Sequence, residues 1–219
     1  MTATPPASDA TARERRQLLL AALSAGLAGL SGCSGTLLPK PAAAPARHTL
    51  DGGAAARVPL APAVGAPALL VAVPRAAAGY DSKRMLYLER AQELQAFAFN
   101  EWVDTPAQLL APLLVRALQD SGAFAVVLLA PSVAVAGLRL ETELIRLQQD
   151  FSTRPSQLRL TLRAVLLDTR TRQAIAWREF DDSVATVSDD PAAGVQAAQQ
   201  AAQRVLAALA RFCADQVRR

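Results

Sequence analysis

Two cysteines, one histidine and two adjacent pairs of aspartates are the side chains of this 219-residue chain whose types could do chemistry. Histidine is the side chain best suited to moving protons near neutral pH, and His48 is the only one. It stands in a stretch rich in proline and alanine, where a bystander is expected rather than a catalyst. A lone histidine so placed allows no Ser-His-Asp or Cys-His arrangement in the folded part. Asp181-Asp182 and Asp189-Asp190 are paired carboxylates, the residue types of a glycosidase. Neighbouring residues of a strand point to opposite faces, however, and the second pair precedes Pro191 where an acidic helix cap belongs. The chain has no glycine-rich phosphate loop ending in Gly-Lys-Ser/Thr, and no Cys/His cluster with metal spacing. It reads as no enzyme, with no cofactor and no metal.

Cys33 is different. Arg13, Arg15 and Arg16 lead into an apolar run over residues 18–30, and Leu30-Ser31-Gly32-Cys33 follows. A basic segment, a short apolar segment and small residues before a cut make a secretory signal. A spanning helix needs about 20 apolar residues, more than this run supplies. Leu30-Ser31-Gly32-Cys33 resembles a bacterial lipobox, which implies cleavage between Gly32 and Cys33 and a lipid on the Cys33 thiol. The alternative is an ordinary signal that contains a cysteine. Arg15-Arg16-Gln17-Leu18-Leu19 loosely resembles a twin-arginine export signal, although two ordinary basic residues explain it as well.

If Cys33 carries lipid, Cys213 has no partner, and no disulfide framework is expected. Removing the first 32 residues takes away three arginines and two acids, so the net charge falls from +4 to +3. Lysines and arginines are scattered, which gives no nucleic-acid footprint. Six of the 14 prolines lie in residues 34–67. Proline fixes φ and lacks an N–H, so this stretch reads as an extended tether. Residues 34–47 alone could reach about 45 Å. The organisation expected is a signal (1–32), a tether beginning at Cys33 (33–67) and one domain (68–219), with Arg47-His48-Thr49-Leu50 able to dock as a short strand.

The elements of that domain follow from periodicity. Residues 68–73 form a buried strand, and residues 84–90 and 94–100 pair as a hairpin. Thr105 and Gln108 have capping-box spacing around Pro106, at the start of a helix whose Leu109, Leu110, Leu113, Leu114 and Leu118 share a face. Pro112 predicts a kink, or a 3₁₀ first turn, and Ser121-Gly122 ends the helix. Residues 124–130 form another strand. Alternating patterns near 138–147, 158–167 and 174–187 predict an antiparallel meander. The phase of its first strand changes near Leu144, by a bulge or by burial on both sides. Ile175 and Trp177 share a face of its last strand. A final helix opens at Pro191 behind acid, and places Cys213 on its apolar face as a buried thiol. The sum is an α+β domain: a mostly antiparallel sheet with two amphipathic helices packed on one face, and a polar face with Arg139, Glu141, Arg159 and Arg163.

Leu70-Val71-Ala72-Val73-Pro74, the segment from Gly79-Tyr80-Asp81 through Arg84 to Tyr87, Glu93-Leu94, Phe97, Asn100-Glu101-Trp102-Val103-Asp104-Thr105-Pro106, Leu109-Leu110, Gly122-Ala123-Phe124, Leu167-Asp168-Thr169-Arg170-Thr171 and Phe180 resemble the ABC-type transport auxiliary lipoprotein family, the PqiC-like group. The lipobox and residues 47–50 fit too, although that family more often has an aromatic where His48 stands. The resemblance implies an outer-membrane lipoprotein, on the inner leaflet and facing the periplasm. It implies partners: a periplasmic Mce-domain protein with its ABC permease and ATPase, in a system moving phospholipid or other hydrophobic molecules. A homo-oligomeric ring is implied by some relatives. Ser34 rather than Asp after Cys33 agrees with the outer membrane. Tyr80, Asp81, Arg84, Trp102, Asp104, Thr105 and Pro106 are the motif residues. They serve structure, Trp102 packing under the helix that Thr105 caps, or else partner contact. Leu86, Leu88 and Phe99 could line a lipid-contacting surface. Two other readings remain open: a lipoprotein that regulates a cell-wall enzyme, and a periplasmic lipid carrier.

Overall fold

The computed structural model describes residues 44–51 and 60–218. The signal, Gly32, Cys33 and most of the tether lie outside the described residues. The sheet is organised on one long strand, β7 (Leu138–Asp150). One edge of β7 pairs antiparallel with β8 (Gln157–Asp168) over its length, and β8 pairs likewise with β9 (Gln173–Ala185). This is the expected meander. The register of β7 shifts between Leu144 and Arg146, so the phase change is a bulge.

The other edge of β7 carries three short strands in succession, all parallel to it: β2 (Ala68–Val71), β3 (Arg75–Ala76) and β4 (Arg84–Arg90). Pro74 separates β2 from β3 because it offers no ladder donor. Strand β5 (Glu93–Trp102) returns antiparallel to β4, the expected hairpin, and β6 (Val126–Leu129) lies parallel to β2. The long ladders are antiparallel and the short ones parallel, so the sheet is mixed. Strand β1 (Ala46–His48) pairs with Asn100–Trp102 of β5, and Leu50 beyond it is buried in the core. The folded unit thus includes part of the stretch assigned to the tether.

Both helices lie on one face. Helix α1 (Pro106–Asp120) crosses from β5 to β6. Its entry corrects the sequence expectation. Pro106 does open the helix, but the Thr105 side chain makes no cap bond. The Asp104 carboxylate accepts the Thr105 N–H at 2.8 Å, the donor a reciprocal capping box would have used. The first turn is α and not 3₁₀: residues 106–120 are α throughout, and Leu109 N–H bonds Thr105 O at 3.0 Å. Gln108 and Pro112 are both exposed, so water can take the carbonyl that the proline leaves free.

Helix α2 (Pro191–Val217) packs on β8, β9 and α1. Its 27 residues span about 40 Å, matching a 13-residue strand. The face it buries is mostly alanine (Ala197, Ala198, Ala201, Ala202), which lets the helix sit close to the leucines of β8. Asp190 caps it, accepting the Ala193 N–H at 2.9 Å.

Candidate functional site

The motif around Trp102 is a junction of β1, β4, β5 and α1. Trp102 N–H bonds Lys83 O at 2.7 Å, and Val103 N–H bonds His48 O at 2.8 Å. The Lys83 ammonium donates to Val103 O at 3.0 Å and lies 3.7 Å from the Asp104 carboxylate. The Trp102 ring and Pro106 are buried. These contacts fix where α1 leaves the sheet, which is a structural task. Asp81, Arg84 and Asp104 are exposed around it.

Tyr80 is set apart from that junction. Its hydroxyl donates to Gln148 Oε1 on β7. Burial pushes the phenol above its ordinary range, and nearby Arg146 opposes the shift. The motif therefore divides: Trp102, Asp104, Thr105 and Pro106 build one corner, while Tyr80 ties its loop to the central strand.

The histidine and the cysteine within the described residues have structural surroundings. His48 Nε2 is 2.9 Å from Asn100 Oδ1, pinning β1 to β5. The Cys213 thiol is fully buried in the core, and burial pushes it up to about 12. The aspartate pairs are split as a strand and a cap require. Asp181 accepts from Thr161, Asp182 meets Arg204 at 3.7 Å, Asp189 accepts the Ser156 N–H at 2.8 Å, and Asp190 caps α2. Among the described residues no group of acidic, His and Cys side chains has the spacing of a metal site, and no helix is long and apolar enough to cross a membrane.

The sheet face away from the helices carries charge in pairs. Arg163 reaches Glu143 and Glu179, each at 3.2 Å, Arg139 meets Glu141 at 3.0 Å, and Arg159 meets Asp150 at 3.8 Å. Exposed pairs like these contribute about 0–1 kcal/mol each. Leu86 and Leu88 are half-buried, and only Phe99 of the three suggested lipid contacts is well exposed. A cavity of about 10 Å³ lies beside Met85, Leu86 and Trp102. It has room for about one water, not for an acyl chain.

A buried polar cluster was not visible in the sequence. Gln149 Nε2 donates to Ser156 Oγ at 2.9 Å, and the Ser156 and Thr186 hydroxyls are 2.7 Å apart. It staples the β7–β8 turn to the start of α2. The one available signal was Ser188-Asp189-Asp190-Pro191, read above as a cap alone.

A family model described as the ABC-type transport auxiliary lipoprotein component matches residues 48–210. Among solved structures, the crystal structure of protein XCC0632 from Xanthomonas campestris, of family-model DUF330, is 27% identical with a TM-score of 0.65. That alignment covers 74% of this chain and 94% of the other. A crystal structure of an uncharacterized protein is 14% identical, with a TM-score of 0.61, over 78% of this chain and 99% of that one, a likeness of fold alone. A search of curated proteins found no match.

Proposed function

The chain belongs to the ABC-type transport auxiliary lipoprotein family, and from that premise we propose that it is the outer-membrane docking subunit of an ABC–Mce transport system. In this reading Cys33 carries the lipid and holds the domain on the inner leaflet. The domain binds a periplasmic Mce-domain protein, whose permease and ATPase supply the transport work. The cargo is phospholipid or another hydrophobic molecule. Assembly into a homo-oligomeric ring is a further part of the reading.

The observation that carries it is the extent of the family match, from His48 in β1 to Ala210 in α2. The match takes in nearly the whole described unit. The lipobox at Leu30-Ser31-Gly32-Cys33 supports the anchor independently.

Two experiments test it. Affinity capture from the native envelope should recover an Mce-domain protein; a correctly folded domain that captures none refutes the docking role. A Cys33→Ala variant should leave the outer-membrane fraction while its domain still folds. Retention of that variant in the membrane, with function intact, overturns the anchor.

A further inference from the structure

The chain enters the domain through a small grip. Of residues 46–51 only Leu50 is buried, and Ala46, Arg47, Thr49 and Asp51 are exposed. Among the described strands β1 pairs with β5 alone, over three residues. The Val103 N–H donates to His48 O at 2.8 Å, and His48 Nε2 is 2.9 Å from Asn100 Oδ1. Beyond the strand, α2 takes hold. The Gln199 amide donates through Nε2 to Thr49 O at 3.1 Å, and through Oε1 it accepts the Asp51 N–H at 3.0 Å. One side chain thus holds the backbone on both sides of Leu50, as a neighbouring strand would.

The chain is fastened a second time, without help from that grip. The Ala125 N–H donates to Pro67 O at 3.0 Å. Leu60 and Ala61 lie against Gly122 at the end of α1, where an added methyl would come within 2.7 Å of Leu60 Cβ. Letting go of residues 46–51 would therefore leave every ladder from β2 to β9 in place. Segments with few buried side chains and few long-range bonds open first. Three paired residues and one buried leucine stand at that low end.

We infer that residues 46–51 are a reversible latch between the tether and the domain, closed by Leu50 and the Gln199 amide, whose opening lengthens the tether and lets the domain stand farther from the membrane. With the latch closed, residues 34–45 lie between Cys33 and the domain. Fully extended they reach about 37 Å, at about 3.1 Å per residue. With it open, residues 34–59 lie between Cys33 and Leu60, and the same arithmetic gives about 80 Å. Release of six residues thus roughly doubles the reach. The change of reach rests on the lipid-anchor reading of Cys33; the latch itself does not.

The latch is tested by hydrogen exchange of the full mature lipoprotein in detergent, read at residues 46–51 and at Val103. In wild type these amides should exchange well before those of the β7–β8 ladder. Gln199→Ala should speed them about tenfold or more while the ladder keeps its protection. Alanine suits a helix, so this variant should fold. Gln200→Ala, one position on and exposed, should change neither. Exchange of residues 46–51 in step with the ladder, or a rate unmoved by Gln199→Ala, overturns the latch. The reach is tested in phosphatidylethanolamine–phosphatidylglycerol vesicles, by energy transfer from a dye on Gln173→Cys to a headgroup dye. Leu50→Asp with Gln199→Ala should hold the latch open and lower the transfer. Loss of the ladder's protection in that double variant would make the strap part of the core and overturn the latch. Equal transfer, in protein whose mass shows the lipid, overturns the change of reach. Protein found without lipid overturns the anchor reading and the change of reach with it, while exchange still decides the latch.

Discussion

Gly194, in the first turn of α2, lies directly against the side-chain amide of Gln149 on β7: a methyl group placed on Gly194 would overlap Gln149 Oε1 and come within 3.0 Å of Cδ. Gln149 cannot withdraw easily. It is buried, and its Nε2 is held by Ser156 Oγ at 2.9 Å and by Asp190 O at 3.3 Å. Two effects oppose each other in Gly194→Ala. Alanine favours the helix by about 1 kcal/mol, and overpacking costs about 1–3 kcal/mol. The overlap is with a fastened group, so packing should win. The variant should show a lower urea midpoint than wild type; an equal or higher one would mean that α2 can lift off the strand freely.

Gln149 meets Ser156, and Ser156 meets Thr186, with all three buried. Thr186 also donates to Ser156 O at 2.9 Å. Thr186→Val keeps the shape and removes both hydroxyl bonds. A buried group left unsatisfied costs about 1–3 kcal/mol. Unfolding by urea should register a loss of that size, while the surface change Ser183→Ala should register almost none.

Asp189 and Asp190 link the same region to pH. The Ser156 N–H holds the Asp189 carboxyl below its ordinary range, and the Ser188 hydroxyl followed by the Ala193 N–H do so for Asp190. A carboxyl whose pKa is lowered by folding stabilises the native state above its unfolded pKa, about 3.9. That contribution is lost as pH falls through the folded value. Stability should therefore decline on acidification below about pH 4. Asp189→Asn with Asp190→Asn should flatten that decline. Asparagine remains a good N-cap, so the helix start should survive. An unchanged acid branch in the double variant would show that other carboxyls dominate it.

Much of this architecture can be read from periodicity. The meander, its bulge at Leu144, the β4–β5 hairpin and both helices each carry a local pattern, because one side of each element is buried. What pattern cannot supply is partnership between distant segments. Nothing in residues 68–76 says that β2 and β3 will lie parallel to β7, since pairing order is settled by the whole sheet. Thr105 and Gln108 have the right spacing for a box, but Asp104 reaches the same N–H first. The Gln149 cluster ties Gln149 and Ser156 to Asp190 and Thr186, thirty or more positions away, so the Ser188–Pro191 signal shows a cap and not its distant partners. Trp177 had the opposite difficulty. Its alternation placed it on a face with Ile175, but only the packed sheet shows that nothing in the described unit covers it.

The corner around Trp102 offers a division between structure and contact. Trp102 is 3% exposed, while Asp104 and Arg84 are exposed. Truncating a buried tryptophan costs about 3–5 kcal/mol, a large part of a domain's stability. Trp102→Ala should therefore lower the thermal midpoint sharply or leave the domain unfolded. Arg84→Ala and Asp104→Ala should leave it nearly unchanged, since Arg84 is exposed and the exposed Lys83–Asp104 pair contributes little. Thermal unfolding of the three variants separates these roles. A mild Trp102→Ala would mean the motif is not a structural corner, and would return it to the list of partner contacts.

Cys213 provides the last prediction. Its thiol is enclosed on the apolar face of α2, and burial pushes its pKa up to about 12. The unfolded chain holds a cysteine near the ordinary value of about 8.5. Between those values the unfolded state loses its proton first, so the unfolded state is favoured as pH rises. Stability should fall from about pH 8.5 toward pH 12, and Cys213→Ala should remove that part of the alkaline slope. Reactivity gives the same test kinetically, because the thiolate is the nucleophile. With Cys33 replaced by alanine, native protein at pH 8 should resist a thiol reagent such as Ellman's disulfide. It should then react stoichiometrically once urea has unfolded it. Fast labelling under native conditions would mean that α2 opens locally, well before the domain unfolds.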